Sequence, residues 1–224
     1  MSDATTEQLG SEFDLKIYLE SRDLCQRAAD EIIAHIEVGM NEKDGQELVK
    51  SVFRKYDVAK FWHPTKFRLG SDTTKTFRDL PDETIKCADG DLCFIDIGPI
   101  IHNHEADFGR TVVINRANQK INSDYEKLAK ASELIFHETK KYWKETQATG
   151  KKLFDFAFSK AKERGYFLDR RMAGHRLGDF PHQVFSKEKL FDFDRNPLKN
   201  IWVLEIHLVD EINQRGSFYE DILM

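Results

Sequence analysis

The sequence predicts an α+β domain made of two similar halves whose strands meet in one shared sheet. Two segments with helical apolar spacing are followed by short β-like runs, and the same order returns once in the second half. No Gly/Ser linker or long charge block divides the 224 residues. The hydrophobic fraction of 40% is sufficient for a sizeable core.

The first half begins with two predicted helices. Residues 13–37 have apolar side chains near a 3.6-residue period, and Gly39 is placed to end this helix. Asn41 can cap a second helix through its side-chain oxygen. Short β-like runs follow at 92–97 and 111–114, joined by a segment that contains glycine, proline and asparagine.

The second half repeats this order. Ser123 can cap a helix that continues through Tyr142, and another helix is predicted near 153–162. Extended runs follow at 201–209 and 218–223. We therefore expect each half to contribute two helices and at least two strands.

Composition and charge exclude several classes of protein. Lys+Arg is 34 and Asp+Glu is 39, which leaves no basic excess to neutralise phosphates, so nucleic acid is not an expected partner. No apolar run approaches the roughly 20 residues of a membrane-spanning helix, so no membrane association is predicted. Residues 1–12 are predicted to form a flexible tail before a single catalytic domain over 13–224. Three cysteines without a CxxC pair, and no visible signal peptide, predict a cytoplasmic location.

Acidic residues interrupt runs that otherwise resemble buried strands. In a two-residue period Asp96 shares a strand face with Phe94, and Glu205 shares a face with Val203 and His207. An unpaired carboxylate in a strand that is apolar on both faces would cost several kcal/mol. Each acid alone could equally face solvent, but several together indicate that positive groups lie beside them.

Further candidate ligands complete an oxygen-rich set. Asp107 follows Asp96 by eleven residues, Glu220 lies in the last extended run, and His175 stands just after Gly174. With Glu205 these residues supply four carboxylates and one imidazole, which is too much charge for one ion. Two divalent cations, about 3.5–4 Å apart and bridged by carboxylates, would neutralise the set. Mn, Fe, Co and Zn all suit these donors.

Five motifs, taken in order, carry a resemblance to a known family. They are Phe94–Gly98, Ala106–Thr111, Gly174–Gly178, Val203–Glu205 and Tyr219–Asp221. Together they resemble the pita-bread metallopeptidases, which include methionine aminopeptidases, Xaa-Pro aminopeptidases, prolidases and creatinase. The resemblance covers residues 13 to 224 and implies two pseudo-symmetric helix-helix-strand halves around a shared curved antiparallel sheet. This fold agrees with the repeat predicted above.

The resemblance also implies roles for the five ligands. Asp96 would chelate one metal ion, and Asp107 would bridge both ions. His175 and Glu205 would hold the second ion, and Glu220 would be the other bridge. Glu205 would in addition accept a proton from the attacking water.

Two histidines outside the ligand set are implied to face the substrate. They are His63, which precedes Pro64, and His182, seven residues after His175. Both could donate hydrogen bonds to the substrate carbonyl or to the tetrahedral oxyanion. The alternative for His63 is a loop residue, and the alternative for His182 is a packing residue.

The implied activity is that of a cytoplasmic dinuclear aminopeptidase, which removes an N-terminal residue through a metal-bridged hydroxide. One alternative keeps the fold but acts on a small non-peptide C–N substrate, as creatinase does. Another is a binding protein of the same fold without catalysis, against which the intact ligand set argues. The expected partner is a peptide or a small-molecule substrate. The oligomeric state is left open, a homodimer included.

Three more histidines are weaker candidates. His102 and His104 have i, i+2 spacing and could form a metal pair, although such pairs in turns are more often solvated. His207 lies on the predicted strand face of Glu205 and is a candidate hydrogen-bond partner for a metal ligand.

Overall fold

The computed structural model describes residues 7–118, 120–182 and 187–224. The helices of this part are α1 (Leu15–Ala34), α2 (Glu42–Arg54), α3 (Ser123–Thr146) and α4 (Gly150–Glu163). The strands are β1 (Lys66–Leu69), β2 (Leu92–Ile97), β3 (Ile100–Ile101), β4 (His104–Glu105), β5 (Phe108–Val113), β6 (Phe167–Leu168), β7 (Val203–Asp210) and β8 (Arg215–Ile222). The predicted order of helices followed by strands, given twice, is therefore confirmed.

Six strands form one antiparallel sheet in the order β1-β2-β5-β8-β7-β6. The first three belong to the first half of the chain and the last three to the second half. The halves meet where β5 pairs with β8, with Gly109 opposite Glu220. Strands β3 and β4 form a separate hairpin. The sheet is thus shared between two halves of mirrored strand order, as predicted.

Side-chain caps explain where the helices begin. The Asp14 carboxylate accepts from the N–H groups of Lys16 and Ile17 at the start of α1. Asn41 and Asp44 form a reciprocal capping box at α2, which confirms Asn41 as a cap. The cap of α3 is Asn122 rather than Ser123, which is the first residue inside the helix.

Several predicted boundaries shift in the structure. Strand β5 begins at Phe108, three residues before the predicted run 111–114. The prediction began later because Gly109 and Arg110 interrupt the apolar pattern at the start of this strand. The first helix ends at Ala34, short of the predicted residue 37. Strands β1 and β6 were not predicted, since runs of four and two residues are too short to show a period.

The two faces of the sheet have different neighbours. Cys93, Ile95 and Ile97 of β2 belong to the main apolar core, which also contains buried residues from all four helices. Phe94 lies outside that core, in a small cluster with Phe218 and Met172. The alternation along β2 therefore directs Asp96, on the face of Phe94, away from the main core.

Part of the stretch predicted as a flexible tail is bonded to the domain. Glu7 Oε1 accepts from Leu198 N and from Trp202 Nε1, each at 2.8 Å. Gly10 N donates to Asp179 Oδ2 at 2.9 Å. Residues 7–12 thus contact the second half of the chain, whereas residues 1–6 lie outside the described residues.

The described helices include none that is both long and apolar enough to cross a membrane. Cys25, Cys87 and Cys93 are buried free thiols. The cytoplasmic location stays a prediction.

A close approach of α2 to the sheet generates a stability prediction. A Cβ atom on Gly45 would lie 2.2 Å from two atoms of the Phe67 ring in β1. Gly45→Ala should therefore lower the free energy of unfolding by about 1–3 kcal/mol, although alanine favours a helix interior. Urea denaturation measures the effect. Ser51→Ala, on an exposed position of the same helix, is the control, and equal stability of the two variants would contradict this packing.

Candidate metal centre

The sheet register aligns acidic residues in one row across neighbouring strands. Asp96 of β2 lies opposite Gly109 of β5, which lies opposite Glu220 of β8, which lies opposite Glu205 of β7. Residues paired in this way point to the same face of an antiparallel sheet. The row therefore gathers three carboxylates from three strands. Lys66 of β1 extends the row on the far side of Asp96.

The centre of this row has no side chain. A Cβ atom on Gly109 would lie 2.3 Å from Cε1 of Phe218, so the ring occupies the space that a side chain would need. Asp107 stands two residues before Gly109, immediately ahead of β5, and is 2% exposed. Asp107 is thus buried at the start of the central strand, beside the row.

His175 approaches the carboxylates with one nitrogen. Its Nε2 lies 3.1 Å from Asp107 Oδ2 and 3.5 Å from Glu205 Oε1. Its Nδ1 lies 2.7 Å from the carbonyl oxygen of Arg176 and therefore donates to it. This hydrogen bond directs Nε2 toward the carboxylates. Against the effect of burial, Asp107 and Glu205 raise the pKa of His175, so Nε2 carries a proton without a metal ion and would release it to become a ligand.

Glu205 is oriented by the backbone. Gly174 N donates to Glu205 Oε2 at 3.1 Å. The other oxygen, Oε1, is the one that lies near His175. The loop that carries His175 therefore also positions Glu205.

His63 lies between two of the carboxylates. Its Nε2 is 3.4 Å from Asp96 Oδ1 and 3.4 Å from Asp107 Oδ1, while Nδ1 is bonded to the carbonyl oxygen of Pro64. Burial disfavours its charge, but Asp96 and Asp107 outweigh burial and raise the pKa of His63 to about 9. Protonated His63 therefore neutralises part of the acidic charge.

Burial and mutual repulsion act on the acids themselves. Burial, with Asp107 and Glu205 nearby, raises the pKa of Asp96 to about 7, although His63 opposes this shift. Burial and Asp107 also raise the pKa of Glu220 well above its usual range. The pKa of Asp107 moves the other way, because hydrogen bonds with Glu220, His175 and His63 outweigh its burial.

The donor set fits divalent cations. Ligand atoms of His63, Asp96 and Asp107 lie within 4.8 Å of one another, and so do those of Asp107, His175 and Glu220. Asp107 belongs to both groups. Asp107 Oδ2 and Glu220 Oε1 are buried, and apart from the contacts within this cluster they have no hydrogen-bond partner among the described residues, so each can offer a lone pair to a cation. His63 meets the distance requirement of a ligand as well as that of a substrate contact.

His182 is held by a carboxylate that sequence reasoning missed. Its backbone N–H donates to Glu105 Oε1 at 3.0 Å, and its Nδ1 lies 2.6 Å from Glu105 Oε2. Glu105 is 1% exposed and separated from His182 by 77 positions in the chain. Because the carboxylate accepts from Nδ1–H, Nε2 of a neutral His182 is an acceptor. Burial lowers the pKa of His182 and favours this neutral form.

Trp62 is the other residue that sequence reasoning did not place in the site. Its ring centroid lies 4.3 Å from that of His63, 5.1 Å from His175 and 5.0 Å from His182. Its Nε1 donates to the carbonyl oxygen of Ala106 at 3.1 Å. The indole therefore fixes three imidazoles against the backbone just before Asp107.

The three weaker histidine candidates have other contacts. His104 Nε2 accepts from Asp14 N at 2.9 Å, and its Nδ1 bonds the carbonyl oxygen of His102, so His104 anchors the start of α1. His102 is exposed. The prediction that His207 bonds a metal ligand is wrong, because its Nε2 bonds the carbonyl oxygen of Thr73 at 2.8 Å.

A cavity of about 560 Å³ opens onto the site. Its lining includes all seven predicted site residues, namely His63, Asp96, Asp107, His175, His182, Glu205 and Glu220. The fold thus brings residues from both halves of the chain to one cavity.

Comparisons with known proteins agree with this geometry. The chain matches the model of metallopeptidase family M24 over residues 16–223. No curated protein matches it significantly. Similar solved structures include an X-Pro aminopeptidase from Thermotoga maritima (TM-score 0.77, 21% identity), covering 96% of this chain and 62% of that one. A prolidase from Pyrococcus horikoshii has a TM-score of 0.73 and 20% identity, covering 96% of this chain and 59% of that one.

A shorter relative is similar over nearly its whole length. The methionine aminopeptidase from Thermotoga maritima has a TM-score of 0.73 and 13% identity, covering 96% of this chain and 98% of that one. The chain spans about six tenths of the X-Pro aminopeptidase and prolidase structures. These similarities confirm the pita-bread fold predicted from the motifs. Because the family model extends over almost all of the sequence, the chain belongs to metallopeptidase family M24.

Proposed function

We propose that the chain is a dinuclear metal-dependent aminopeptidase that hydrolyses the N-terminal peptide bond of peptides. Asp96, Asp107, His175, Glu205 and Glu220 would hold the two cations. The observation that carries this proposal is the membership of Asp107 in both groups of clustered ligand atoms. A carboxylate shared between two ligand groups is the arrangement that bridges two ions.

The residues of the site have separate tasks in this reaction. Bound divalent cations would supply a water of lowered pKa and a polarised scissile carbonyl. Glu205 would accept the proton of the attacking water and pass it toward the leaving nitrogen. The hydrogen bond from Gly174 N to its Oε2 supports this role, because it holds Oε1 toward the centre.

The two substrate-facing histidines differ in their hydrogen-bonding capacity. His182 donates Nδ1–H to Glu105, so its Nε2 would accept a hydrogen bond from a substrate N–H. This revises the expectation that both histidines donate to the oxyanion. His63 remains the proposed donor to the substrate oxygen. That role requires a proton on its Nε2 in addition to the Nδ1 proton bonded to Pro64 O.

Membership of a metallopeptidase family supports a peptide over the small-molecule alternative, and the cavity has the size to accept one. A volume of about 560 Å³ has room for more than one amino-acid residue. The complete ligand set argues against a binding protein without catalysis. A peptide is therefore the proposed substrate.

The experiment that tests the proposal combines elemental analysis with a mixed peptide library. After reconstitution with Mn²⁺ or Co²⁺, the protein should bind close to two ions and shorten peptides by one N-terminal residue. Asp107→Asn should reduce both metal binding and turnover, because the amide loses one charge and one bridging oxygen. Asp155→Asn, on the exposed surface of α4, is the control. A folded protein that binds no metal and cleaves no peptide would refute the proposal.

Glu105 generates a second prediction, about the positioning of His182. One carboxylate accepts from both the backbone N–H and Nδ1–H of His182, but Glu105→Gln offers only one oxygen for these two donors. The variant should lose on the order of a hundredfold in kcat with a smaller change in KM. Glu211→Gln, at an exposed turn, is the matched control.

Metal content distinguishes positioning from ligation in the same experiment. Glu105→Gln and His182→Ala should keep both ions, whereas His175→Ala should lose at least one. His63→Ala should also keep both ions, and loss of an ion in this variant would identify His63 as a ligand. Full turnover in His182→Ala would show that His182 is a packing residue.

The raised pKa values predict how the chelator-treated protein responds to pH. Asp96 and His63 both have folded-state pKa values above their ordinary ones, so their protonated forms favour the folded state. Their stabilisation is complete at low pH and is lost as pH rises through about 7 for Asp96 and about 9 for His63. The pKa of Asp107 is lowered, so its contribution to the free energy of unfolding changes only in strong acid.

Thermal unfolding between pH 5 and pH 9 measures this loss. The Tm of the chelated protein should fall with rising pH, and the fall should be smaller in Asp96→Asn, which cannot ionise. Added Mn²⁺ should raise the Tm most at the alkaline end, because cations bind the ionised carboxylates. An identical slope in Asp96→Asn and in Asp155→Asn would contradict the assignment.

A further inference from the structure

The cavity has positive side chains around the acidic centre. Lys66, Arg78, Lys187 and Lys189 all line it. Glu188 is the remaining carboxylate of the described lining, and burial raises its pKa although Arg195 opposes this shift. The lining thus combines the acidic residues of the centre with these four cations, which we call the basic surround.

These four cations have no ion-pair partner among the described residues. Some less exposed cations in the same chain are paired. Arg215 binds both oxygens of Asp91, at 2.6 and 2.8 Å, and the fully buried Arg68 binds Glu42 at 2.9 Å. Without a carboxylate partner among the described residues, the charges of the basic surround are available to an anion.

Two of the cations lie against one aromatic ring. Arg78 Cζ is 5.2 Å from the centroid of Phe77, and Lys189 Nζ is 5.7 Å from the same centroid. The ring is 38% exposed. Cation–π contacts stabilise each charge and place both cations around one ring. An anion bound beside Phe77 would interact favourably with both.

The segment that carries Phe77 and Arg78 is fixed in place. The guanidinium of Arg68 donates to the carbonyl oxygen of Thr76 at 2.8 Å and also to that of Asp79. The Asp79 carboxylate in turn accepts from Thr76 N at 2.8 Å. These bonds close the loop on both sides of Phe77, so its position does not depend on a ligand.

The opposite segment is tied to the metal centre. Lys189 forms a backbone bridge with His175, and Leu190 N donates to the carbonyl oxygen of Gly174 at 2.9 Å. An anion held by Lys189 and Arg78 would therefore lie at a fixed place relative to His175. Such preorganisation lowers the entropic cost of binding.

The charges indicate the class of substrate. Two divalent cations would balance the four carboxylates of the centre, which leaves the basic surround as the net charge of the cavity. We propose that the surround binds a carboxylate of the substrate, so that the preferred substrates are short anionic peptides. This inference rests on the proposed function. The carboxylate can come from an acidic side chain or from the C-terminus of a short peptide.

The test compares four tripeptides with the metal-loaded enzyme. They carry glutamate or glutamine at the second position, each with a free or an amidated C-terminus. The carboxylate-bearing forms should be cleaved with about tenfold higher kcat/KM at low ionic strength, and salt should reduce the difference. The pair of glutamate and glutamine peptides reports a side-chain carboxylate, and the pair of acid and amide reports the C-terminus.

Variants assign the preference to this surface. The double variant Arg78→Gln/Lys189→Gln should lose the preference but keep its metal content and its rate on the doubly neutral peptide. Lys144→Gln, on the exposed side of α3, is the control and should keep the preference. Equal kcat/KM for all four peptides, or a preference that survives the double variant, would overturn the inference while the proposed function stands.

A binding measurement keeps the two proposals separate. Calorimetry with a tripeptide whose scissile carbonyl is replaced by a methylene group reports affinity without turnover, because this bond cannot be hydrolysed. The glutamate form should bind about tenfold more tightly than the glutamine amide form, and the difference should vanish in the double variant. If no peptide is cleaved, the proposed function fails and this measurement still decides the inference. Equal affinities would overturn it.

Discussion

Carboxylates buried side by side are the constraint on which the rest of the structure depends. Glu205 and Glu220 are direct cross-strand neighbours, and Asp96 lies two strands from Glu220 in the same row. Like charges opposite each other destabilise a sheet, and burial removes the water that would screen them. The cluster therefore requires compensating positive charge or protonation of some of its acids. His63 and His175 supply part of that charge from the loops above the row.

The same constraint links stability to function. A site that repels itself when ionised has a high affinity for cations, because binding restores the electrostatic free energy that folding lost. The rest of the fold offsets the electrostatic free energy lost in the acidic cluster. One face of the sheet packs the main apolar core beneath the helices, so the opposite face can carry polar groups without loss of that core. The division of the sheet into an apolar and a catalytic face is thus an energetic requirement.

Local sequence pattern was sufficient for much of the fold and of the ligand set. The 3.6-residue period and the caps are properties of neighbouring residues, so α1 to α4 could be predicted to within a few positions. Strand alternation placed Asp96 and Glu205 on defined faces for the same reason. The remaining roles, including those of Asp107 and Glu220, came from the resemblance of ordered motifs to a family. Strands of two and four residues were missed because they are shorter than any detectable period.

The sequence by itself determined the two-half α+β fold, the five metal-ligand candidates and the two further histidines that line one cavity. Only the tertiary structure decided what surrounds them. Glu105 bonds His182, which is 77 positions away in the chain, and Lys189 lies against the ring of Phe77. Neither contact produces a periodic pattern in the sequence, because each forms between segments that are far apart along the chain. Such contacts depend on proximity in space, and the spacing of residues along the chain does not reveal that proximity.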